Sequence, residues 1–463
     1  MTSLRIAAAL LLCFIAGTGA ILLVTRRNSR VCVVELIAFG WLLGTAIIST
    51  LLVVGGIFLS GPALVCSVAM VSFLLGALGF QRLTSLSFWL WPNSTGAFGK
   101  VLSACLLVPI ALLFVNCFSQ PLFWDGLLIW EFKARVAFLN GGGFPAEYFA
   151  REGLEWSKPS YPLYLPALEA WLYLWLGEPH QYFVKILFPF FPWVAAAVLW
   201  CAAVRLSGSA SLGAAAALLV FCVPALTNGI GPLHGYADVP LGVYFLSACY
   251  LLFLSNLEGH GRQVVLAALL GGCLPWIKTE GIFLWIGFAA VSLCLLRKRL
   301  GVALLVPAPG LVAFGAWQLA LKILNTPSEG VFRPIDLETL MDALGRIPVV
   351  TGRIGRELIS GMAWGILWPV AFAVVGWHLW RRREWGAAIA LMLLLPLGMD
   401  ILPYLFTNMP LVWHMDNSIQ RLVLQLAPAA LLGIVLSLRN YAEVRLADVA
   451  SELRKPVKDG ESC

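Results

Sequence analysis

Charged side chains are scarce in this chain. Only 12% of its 463 residues are Asp, Glu, Lys or Arg, whereas 60% are hydrophobic. Soluble domains carry about 25% charged residues. Apolar runs of about 20 residues, each long enough to cross the hydrocarbon core of a bilayer, recur along almost the whole chain. The composition therefore excludes a soluble globular protein and predicts an all-α polytopic membrane protein.

Cofactor and metal motifs are also missing. The sequence shows no glycine-rich phosphate loop, no dinucleotide-binding pattern and no zinc-ligand spacing. Of its 11 cysteines, ten lie in or at the edges of apolar segments and Cys463 is terminal, which predicts packing residues rather than disulfides. The net charge of +7 comes from short basic clusters at the ends of apolar runs. Such clusters set membrane orientation, so the charge does not indicate a nucleic-acid partner.

Thirteen apolar runs predict about 13 transmembrane helices. Cytoplasmic loops are enriched in Lys and Arg, and with 13 spans every basic cluster falls inside while the amino terminus lies outside. One more apolar stretch, 161–177, must then stay on the outer surface as an interfacial or re-entrant helix. The predicted spans are 4–24, 32–59, 62–80, 101–119, 182–204, 210–228, 239–256, 264–278, 281–296, 302–323, 362–379, 387–406 and 422–438.

This topology places most of the unusual polar residues on the outer face. The outer loops would be 120–181, 229–238, 278–281, 324–361 and 407–421. Candidate functional residues in these loops are Asp125, Glu131, Lys133, Tyr161, His234, Asp238, Lys278, Glu280, His414 and Arg421. Four further arginines, Arg333, Arg346, Arg353 and Arg356, are candidates for contacts with lipid headgroups or a substrate phosphate.

Asp125 is the strongest catalytic candidate. It lies between Trp124 and Trp130, directly after the apolar run 100–119. A carboxylate among aromatic rings at a membrane surface is suited to accept a proton from an acceptor hydroxyl. The alternative is an N-cap for the helix that starts near Gly126, because Asp is a favoured capping residue. That helix, Leu127 to Leu139, has the composition of an amphipathic helix in the headgroup zone.

Asp238 is a second candidate acid. It ends the segment Gly235-Tyr236-Ala237-Asp238, just before an apolar run. Two acids on one face can bind a cation, or one can orient an acceptor while the other deprotonates it. An N-cap for the span that starts at Pro240 is the alternative.

Two later loops supply candidate phosphate contacts. Lys278, in the turn Trp276 to Gly281, offers a point charge, although it can instead pair with Glu280 or extend to the interface. His414 and Arg421 flank a polar patch before the last span, and Arg offers bidentate geometry to a phosphate. A simple outer loop is the alternative for this patch.

In these segments the chain resembles the GT-C glycosyltransferases, which use polyprenyl-phosphate sugars and include protein O-mannosyltransferases, lipid A aminoarabinose transferases and oligosaccharyltransferases. The resemblance covers roughly 100–440. It is carried by Trp124-Asp125, by Lys133-Ala134, by Lys158 to Leu163, by Gly235 to Asp238, by Trp276 to Gly281 and by Trp413 to Arg421. It differs at Pro240, where oligosaccharyltransferases have a further acid, and at Ser160, where many bacterial relatives have an acidic residue.

The resemblance implies a catalytic Asp125 and a second active-site acid, Asp238, with substrate contacts from the other candidates. The expected activity is transfer of a sugar from a polyprenyl-phosphate donor to an envelope glycan, lipid or protein, with inversion, on the outer face of a bacterial inner membrane. No cofactor is required by this chemistry, and a divalent cation, Mg²⁺ or Mn²⁺, is an open alternative. The implied organisation is a three-span extension at 1–98, a catalytic module at 99–440 and a cytoplasmic tail at 441–463.

Two other functions stay open. A transporter or lipid flippase needs polar groups near the bilayer midplane or broken helices there, whereas the charged residues of this chain concentrate at one face. A polymerase or ligase of lipid-linked glycans would use the same face and differ in product size.

Overall fold

A computed structural model describes residues 2–26, 29–90, 96–228, 230–259 and 261–438. The predicted tail 441–463 lies outside the described residues, as do Arg27, Arg439 and Cys463. The described chain is almost entirely helical. Its one sheet is a short parallel pair, β1 (Arg30–Cys32) and β2 (Ser87–Trp89).

The described residues of the amino-terminal half form twelve α-helices and one π-helix. Their bounds are α1 (Thr2–Val24), α2 (Val33–Gly55), α3 (Gly61–Phe80), α4 (Ala97–Cys105), α5 (Leu107–Cys117), a π-helix (Gly126–Glu131), α6 (Phe132–Leu139), α7 (Ala146–Ala150), α8 (Tyr164–Leu176), α9 (Gln181–Val184), α10 (Phe190–Ser207), α11 (Ala210–Phe221) and α12 (Pro224–Thr227). Short 3-10 helices cover Leu83–Ser85, Glu155–Ser157 and Lys185–Leu187.

The second half adds α13 (Asp238–Glu258), α14 (Gly261–Gly272), α15 (Leu274–Ile277), α16 (Gly281–Leu295), α17 (Leu300–Leu305), α18 (Ala308–Ile323), α19 (Leu337–Leu358), α20 (Gly361–Trp364), α21 (Leu367–Trp380), α22 (Gly386–Met399), α23 (Leu402–Leu405) and α24 (Leu411–Leu436). A 3-10 turn, Arg297–Arg299, precedes α17.

The predicted spans coincide with helices. Within the described ranges, nine helical segments are long and apolar enough to cross a membrane. The other four predicted spans fall on shorter apolar helices, at Ala210–Phe221, Gly261–Ile277, Gly281–Leu295 and Leu367–Trp380. This is the architecture of an all-α membrane protein, and the number 13 stays a prediction.

Helix α13 forms the centre of the bundle. Its entire apolar window is buried, because α10, α14, α16 and α24 pack around it. Asp238 is the first residue of this helix, so the packing that buries α13 also fixes a carboxylate at its amino-terminal end.

The three amino-terminal helices pack onto the rest of the bundle. Helix α2 lies against α8 and α10, and the hydroxyl of Tyr164 donates to Thr45 Oγ1 at 3.0 Å. Tyr244 on α13 approaches the same hydroxyl at 3.1 Å. An ion pair at 2.7 Å joins Glu35 on α2 to Arg205 on α10. Helix α2 of the predicted extension therefore shares polar contacts with the predicted catalytic module.

Two predictions about the first large loop change. For the stretch 161–177 the interfacial alternative is wrong, because all but two residues of α8 are buried, and the re-entrant alternative stays a prediction. The segment 127–139 was expected to be an amphipathic surface helix, but it is a π-helix followed by α6, and both Glu131 and Lys133 are buried. Glu131 and Lys133 find their partners inside the protein, whereas the Arg135 side chain is partly exposed.

Candidate active site

Asp125 directly precedes the π-helix. Its carboxylate makes no capping hydrogen bond to that helix. Instead its Oδ2 lies 2.7 Å from Nη2 of Arg421 on α24, and the Asp125 side chain is 23% exposed. Trp124 just before it has a positive φ of 29°, which is strained backbone for a tryptophan. Such strain, like a π-helical turn, is often found at functional sites. Because the Asp125 carboxylate contacts Arg421 and makes no capping hydrogen bond, the N-cap alternative for Asp125 is wrong.

The 230–237 segment holds the Asp125 loop in place. The backbone N–H of Phe123 donates to the carbonyl oxygen of His234 at 3.3 Å. A Cβ added at Gly126 would lie 2.1 Å from that same oxygen, so only glycine fits there. The His234 ring packs on Phe123 at 4.9 Å, and burial lowers the pKa of His234, with Lys185 acting in the same direction. His234 therefore positions the loop that carries Asp125.

Asp238 is the buried centre of the site. Its Oδ1 accepts hydrogen bonds from Lys278 Nζ at 2.8 Å and from Gln425 Nε2 at 2.6 Å. Its Oδ2 accepts from Arg421 Nε at 3.1 Å. Two cations and an amide thus satisfy a carboxylate that is fully removed from solvent, which is what a buried charge requires. The carboxylate does not cap α13, so that alternative is wrong as well.

Lys278 connects Asp238 to a third acid. Its Nζ lies 3.2 Å from Glu280 Oε1, in the turn between α15 and α16. The hydroxyl of Tyr161 donates to the same Glu280 oxygen at 3.2 Å. Burial raises the pKa of Tyr161 well above its usual value, and the negative charges of Glu280 and Asp125 add to the shift. Tyr161 therefore stays a neutral hydrogen-bond donor.

These contacts form one continuous series of ion pairs, which we call the charge chain. Its members, in order, are Asp125, Arg421, Asp238, Lys278 and Glu280. Three acids alternate with two cations, so the formal charge of these five side chains is −1 when every group is ionised. Tyr161 is hydrogen-bonded to its Glu280 end. Six of the ten predicted site residues thus meet in one place.

Three residues of the site were missed as candidates. Gln425 donates to Asp238, and the Tyr236 ring lies under the Arg421 guanidinium at 4.7 Å. Asp400, directly after α22, is buried without a hydrogen-bond partner for either carboxylate oxygen, and it interacts electrostatically with Glu280. A signal existed for Gln425, because it follows Arg421 by four residues and shares its helix face.

Glu131 lies apart from the charge chain. It forms an ion pair with Arg135, one turn later in the π-helix and α6 segment. The hydroxyl of Tyr173 donates to its Oε1 at 2.8 Å. The neighbouring Glu169 is fully buried and neither of its carboxylate oxygens has a hydrogen-bond partner. Burial, together with the charge of Glu131, raises the pKa of Glu169 well above its usual value.

Lys133 contacts both the backbone and the ring of Tyr161. Its Nζ donates to the backbone oxygens of Lys158 and Tyr161. It also lies 5.5 Å from the Trp130 ring and 5.7 Å from the Tyr161 ring, within cation–π range. Burial lowers the pKa of Lys133 to about 7, against the opposing effect of Glu329. The buried Lys133 therefore positions Tyr161.

His414 is also outside the charge chain. Its Nδ1 lies 2.9 Å from Thr407 Oγ1, and its ring packs on Tyr404 with centroids 5.0 Å apart. His414 and Arg421 were both candidate phosphate contacts. Of the two, only Arg421 contacts Asp125 and Asp238.

The donor set does not fit a divalent cation held between Asp125 and Asp238. The Arg421 guanidinium lies between the two carboxylates and bonds to both. Lys278 and Gln425 occupy the remaining Asp238 oxygen. Across the described part of the chain, no three His, Cys, Asp or Glu side chains are grouped as metal ligands. The position that a bridging metal would need is taken by an internal cation.

Comparisons with protein-family models, with curated proteins and with solved structures found no match to this chain.

Proposed function

We propose that this protein is an integral membrane glycosyltransferase of the GT-C type. It would transfer a sugar from a polyprenyl-phosphate donor to an envelope glycan, lipid or protein. In this proposal the chain crosses a bacterial inner membrane 13 times and the charge chain faces the outer side. The observation that carries the proposal is Asp125, a carboxylate that is 23% exposed and is joined through Arg421 to the fully buried Asp238.

The proposed reaction uses Asp125 as the general base. The acceptor hydroxyl gives its proton to an Asp125 oxygen while its own oxygen attacks the anomeric carbon. The bond between that carbon and the phosphate oxygen breaks, the electron pair leaves with the lipid phosphate, and the configuration inverts. Arg421 orients Asp125 through their 2.7 Å contact. General base catalysis of this kind contributes about 10²–10⁴ in rate.

Arg421 is also the best placed cation for the leaving phosphate. It contacts Asp238 through Nε and Asp125 through Nη2, so Nη1 is the guanidinium nitrogen that neither carboxylate engages. Lys278 is 2% exposed and lies between Asp238 and Glu280, which favours a structural role for its charge. A fixed guanidinium that faces developing negative charge needs no reorganisation during the reaction.

The test is mass spectrometry of envelope glycans from a strain that lacks this protein. The strain is complemented with the wild type, with Asp125→Asn, or with Asp416→Asn as a matched control in an exposed ion pair with Arg353. We expect the wild type and Asp416→Asn to restore a missing sugar mass and Asp125→Asn to fail at equal membrane abundance. Full restoration by Asp125→Asn would rule out its role as base.

One observation supports a transporter as a second candidate. Asp400 and Glu169 are buried carboxyls without hydrogen-bond partners, and such groups inside a membrane protein often carry protons. Substrate-dependent proton movement in proteoliposomes, lost in Asp400→Asn, would favour transport over transfer.

A further inference from the structure

Helix α19 connects two apolar helices but differs from them in composition. It begins after Asp336, whose carboxylate accepts a hydrogen bond from the Thr339 backbone N–H at 2.8 Å. Acidic and basic residues recur along its 22 residues among apolar ones. Its side chains divide into three faces, because residues three or four apart share one side of a helix.

The first face is buried against the bundle. Ala343, Val350 and Ile354 are buried where α19 packs on α23 and α24, and α24 carries Arg421 and Gln425 of the candidate site. Arg346 Nη1 donates to the backbone oxygen of Thr407 at 3.1 Å, and Arg353 pairs with Asp416 on α24. The helix is therefore firmly attached to the protein along one side.

The second face is apolar and stays exposed among the residues that the structure describes. Five side chains at helical spacing are between 37% and 76% exposed. We call these residues the apolar stripe; they are Leu337, Leu340, Met341, Leu344 and Ile347. The third face carries Glu338, Asp342 and Arg356, which are all exposed. Helix α19 is already attached to the bundle through its buried apolar face, so folding does not require a second apolar face on this helix.

The helices before and after α19 are apolar. Helix α18 is part of a candidate membrane span that ends at Ile323, and its Leu319 and Ile323 are exposed. Beyond the other end of α19, Met362 and Ile366 are 92% and 75% exposed, and the apolar helix Leu367–Trp380 follows. Because α19 connects two apolar helices, both of its ends are tied to the membrane-embedded part of the chain. This connection favours lipid over a soluble partner as the cover of the apolar stripe.

We propose that α19 lies in the plane of the bilayer surface, with the apolar stripe inserted among the lipids and the charged face in water. Interfacial helices bury their apolar face about 5–10 Å into the headgroup and acyl boundary. Since α19 is docked onto α24, this places the plane of the membrane surface beside the helix that carries Arg421. The inference does not depend on the proposed enzymatic activity.

Spin labelling tests this placement in the full-length protein. The cysteines exposed in the structure, Cys66, Cys105 and Cys222, together with Cys463, are replaced by serine. Single cysteines are then introduced as Leu344→Cys on the apolar stripe, Glu338→Cys on the charged face and Ala343→Cys on the buried face. Each is labelled with a nitroxide in nanodiscs, and collision rates are measured with oxygen, which dissolves in lipid, and with a water-soluble nickel chelate.

We expect the label at position 344 to collide several-fold more with oxygen than with the chelate, and the label at 338 to show the opposite ratio. Chelate access at 344 equal to that at 338 would show that the stripe faces water and would overturn the proposal. Low access to both reagents at 344, as expected at 343, would show a protein covering and would overturn it too.

A label-free measurement covers the case in which a cysteine variant does not fold. The wild-type protein in nanodiscs is treated with hydroxyl radicals, and oxidation is read by mass spectrometry. Met341 is expected to be protected compared with the exposed Trp156, although both side chains are open in the protein alone. Equal oxidation of Met341 and Trp156 would contradict a lipid-covered stripe.

Discussion

Replacing Asp238 with asparagine tests whether the charge chain stabilises the bundle. Asparagine keeps the size of the side chain but removes the negative charge that Lys278 and Arg421 share. Breaking a buried ion pair by removing one partner costs about 3–5 kcal/mol, because the other charge stays buried. Lys278 keeps Glu280 and Arg421 keeps Asp125, so we expect a loss near the lower end, about 3 kcal/mol.

The matched control is Asp416→Asn. Asp416 pairs with Arg353, and the two side chains are 47% and 42% exposed. Exposed ion pairs contribute about 0–1 kcal/mol because water and salt screen them. The same chemical change should therefore have very different effects at positions 238 and 416.

The free energy of unfolding is measured by titrating denaturing detergent into mixed micelles and following tryptophan fluorescence. We expect a clear shift of the midpoint for Asp238→Asn and a shift within about 1 kcal/mol for Asp416→Asn. If both variants unfold at the wild-type midpoint, the buried contacts of Asp238 do not stabilise the protein and the reasoning fails.

Further predictions concern the support of the site. Because the folded protein holds the pKa of Lys133 at about 7, below its ordinary 10.5, the unfolded chain binds more protons above pH 7. The stability of the wild type relative to Lys133→Met should therefore rise from pH 7 to pH 9, by up to about 1.4 kcal/mol per unit; parallel stability curves would contradict the lowered pKa of Lys133. Gly126→Ala should abolish glycan restoration, since its Cβ would meet the His234 oxygen at 2.1 Å, whereas Gly345→Ala has open space and should be silent. Equal activity of the two alanine variants would show that the Asp125 loop can move.

The positions of the apolar helices could be predicted from the sequence because each run satisfies its own backbone hydrogen bonds. Length and apolarity are local properties, so they can be read without knowing any tertiary contact. The same holds for the grouping of acids at the ends of runs, which placed Asp125 and Asp238 together. What could not be read is that Arg421 lies between them, since that depends on how α24 packs against α13.

Glu131 and Lys133 show why local composition misleads. Charged residues among Trp, Leu and Phe fit a helix at the membrane surface and also a buried helix with internal partners. Besides Arg135 one helical turn away, Glu131 is bound by Tyr173, and Lys133 is bound by the backbone of Lys158 and Tyr161. These other partners lie 25 to 42 residues away, beyond any helical periodicity. Only the tertiary structure distinguishes the two arrangements.

The hydroxyls of Thr45 on α2, Tyr164 on α8 and Tyr244 on α13 form a hydrogen-bonded cluster, and this cluster has a consequence for biosynthesis. Thr45 meets Tyr244, which is 199 residues later in the chain. At about 5–20 residues per second, Thr45 waits roughly 10–40 s for that partner to be made. During this interval its hydroxyl can donate within its own helix, to the carbonyl oxygen of Trp41 or Leu42 at 2.9 Å. The early helices can thus enter the membrane without an unsatisfied polar group and complete the cluster when α13 arrives.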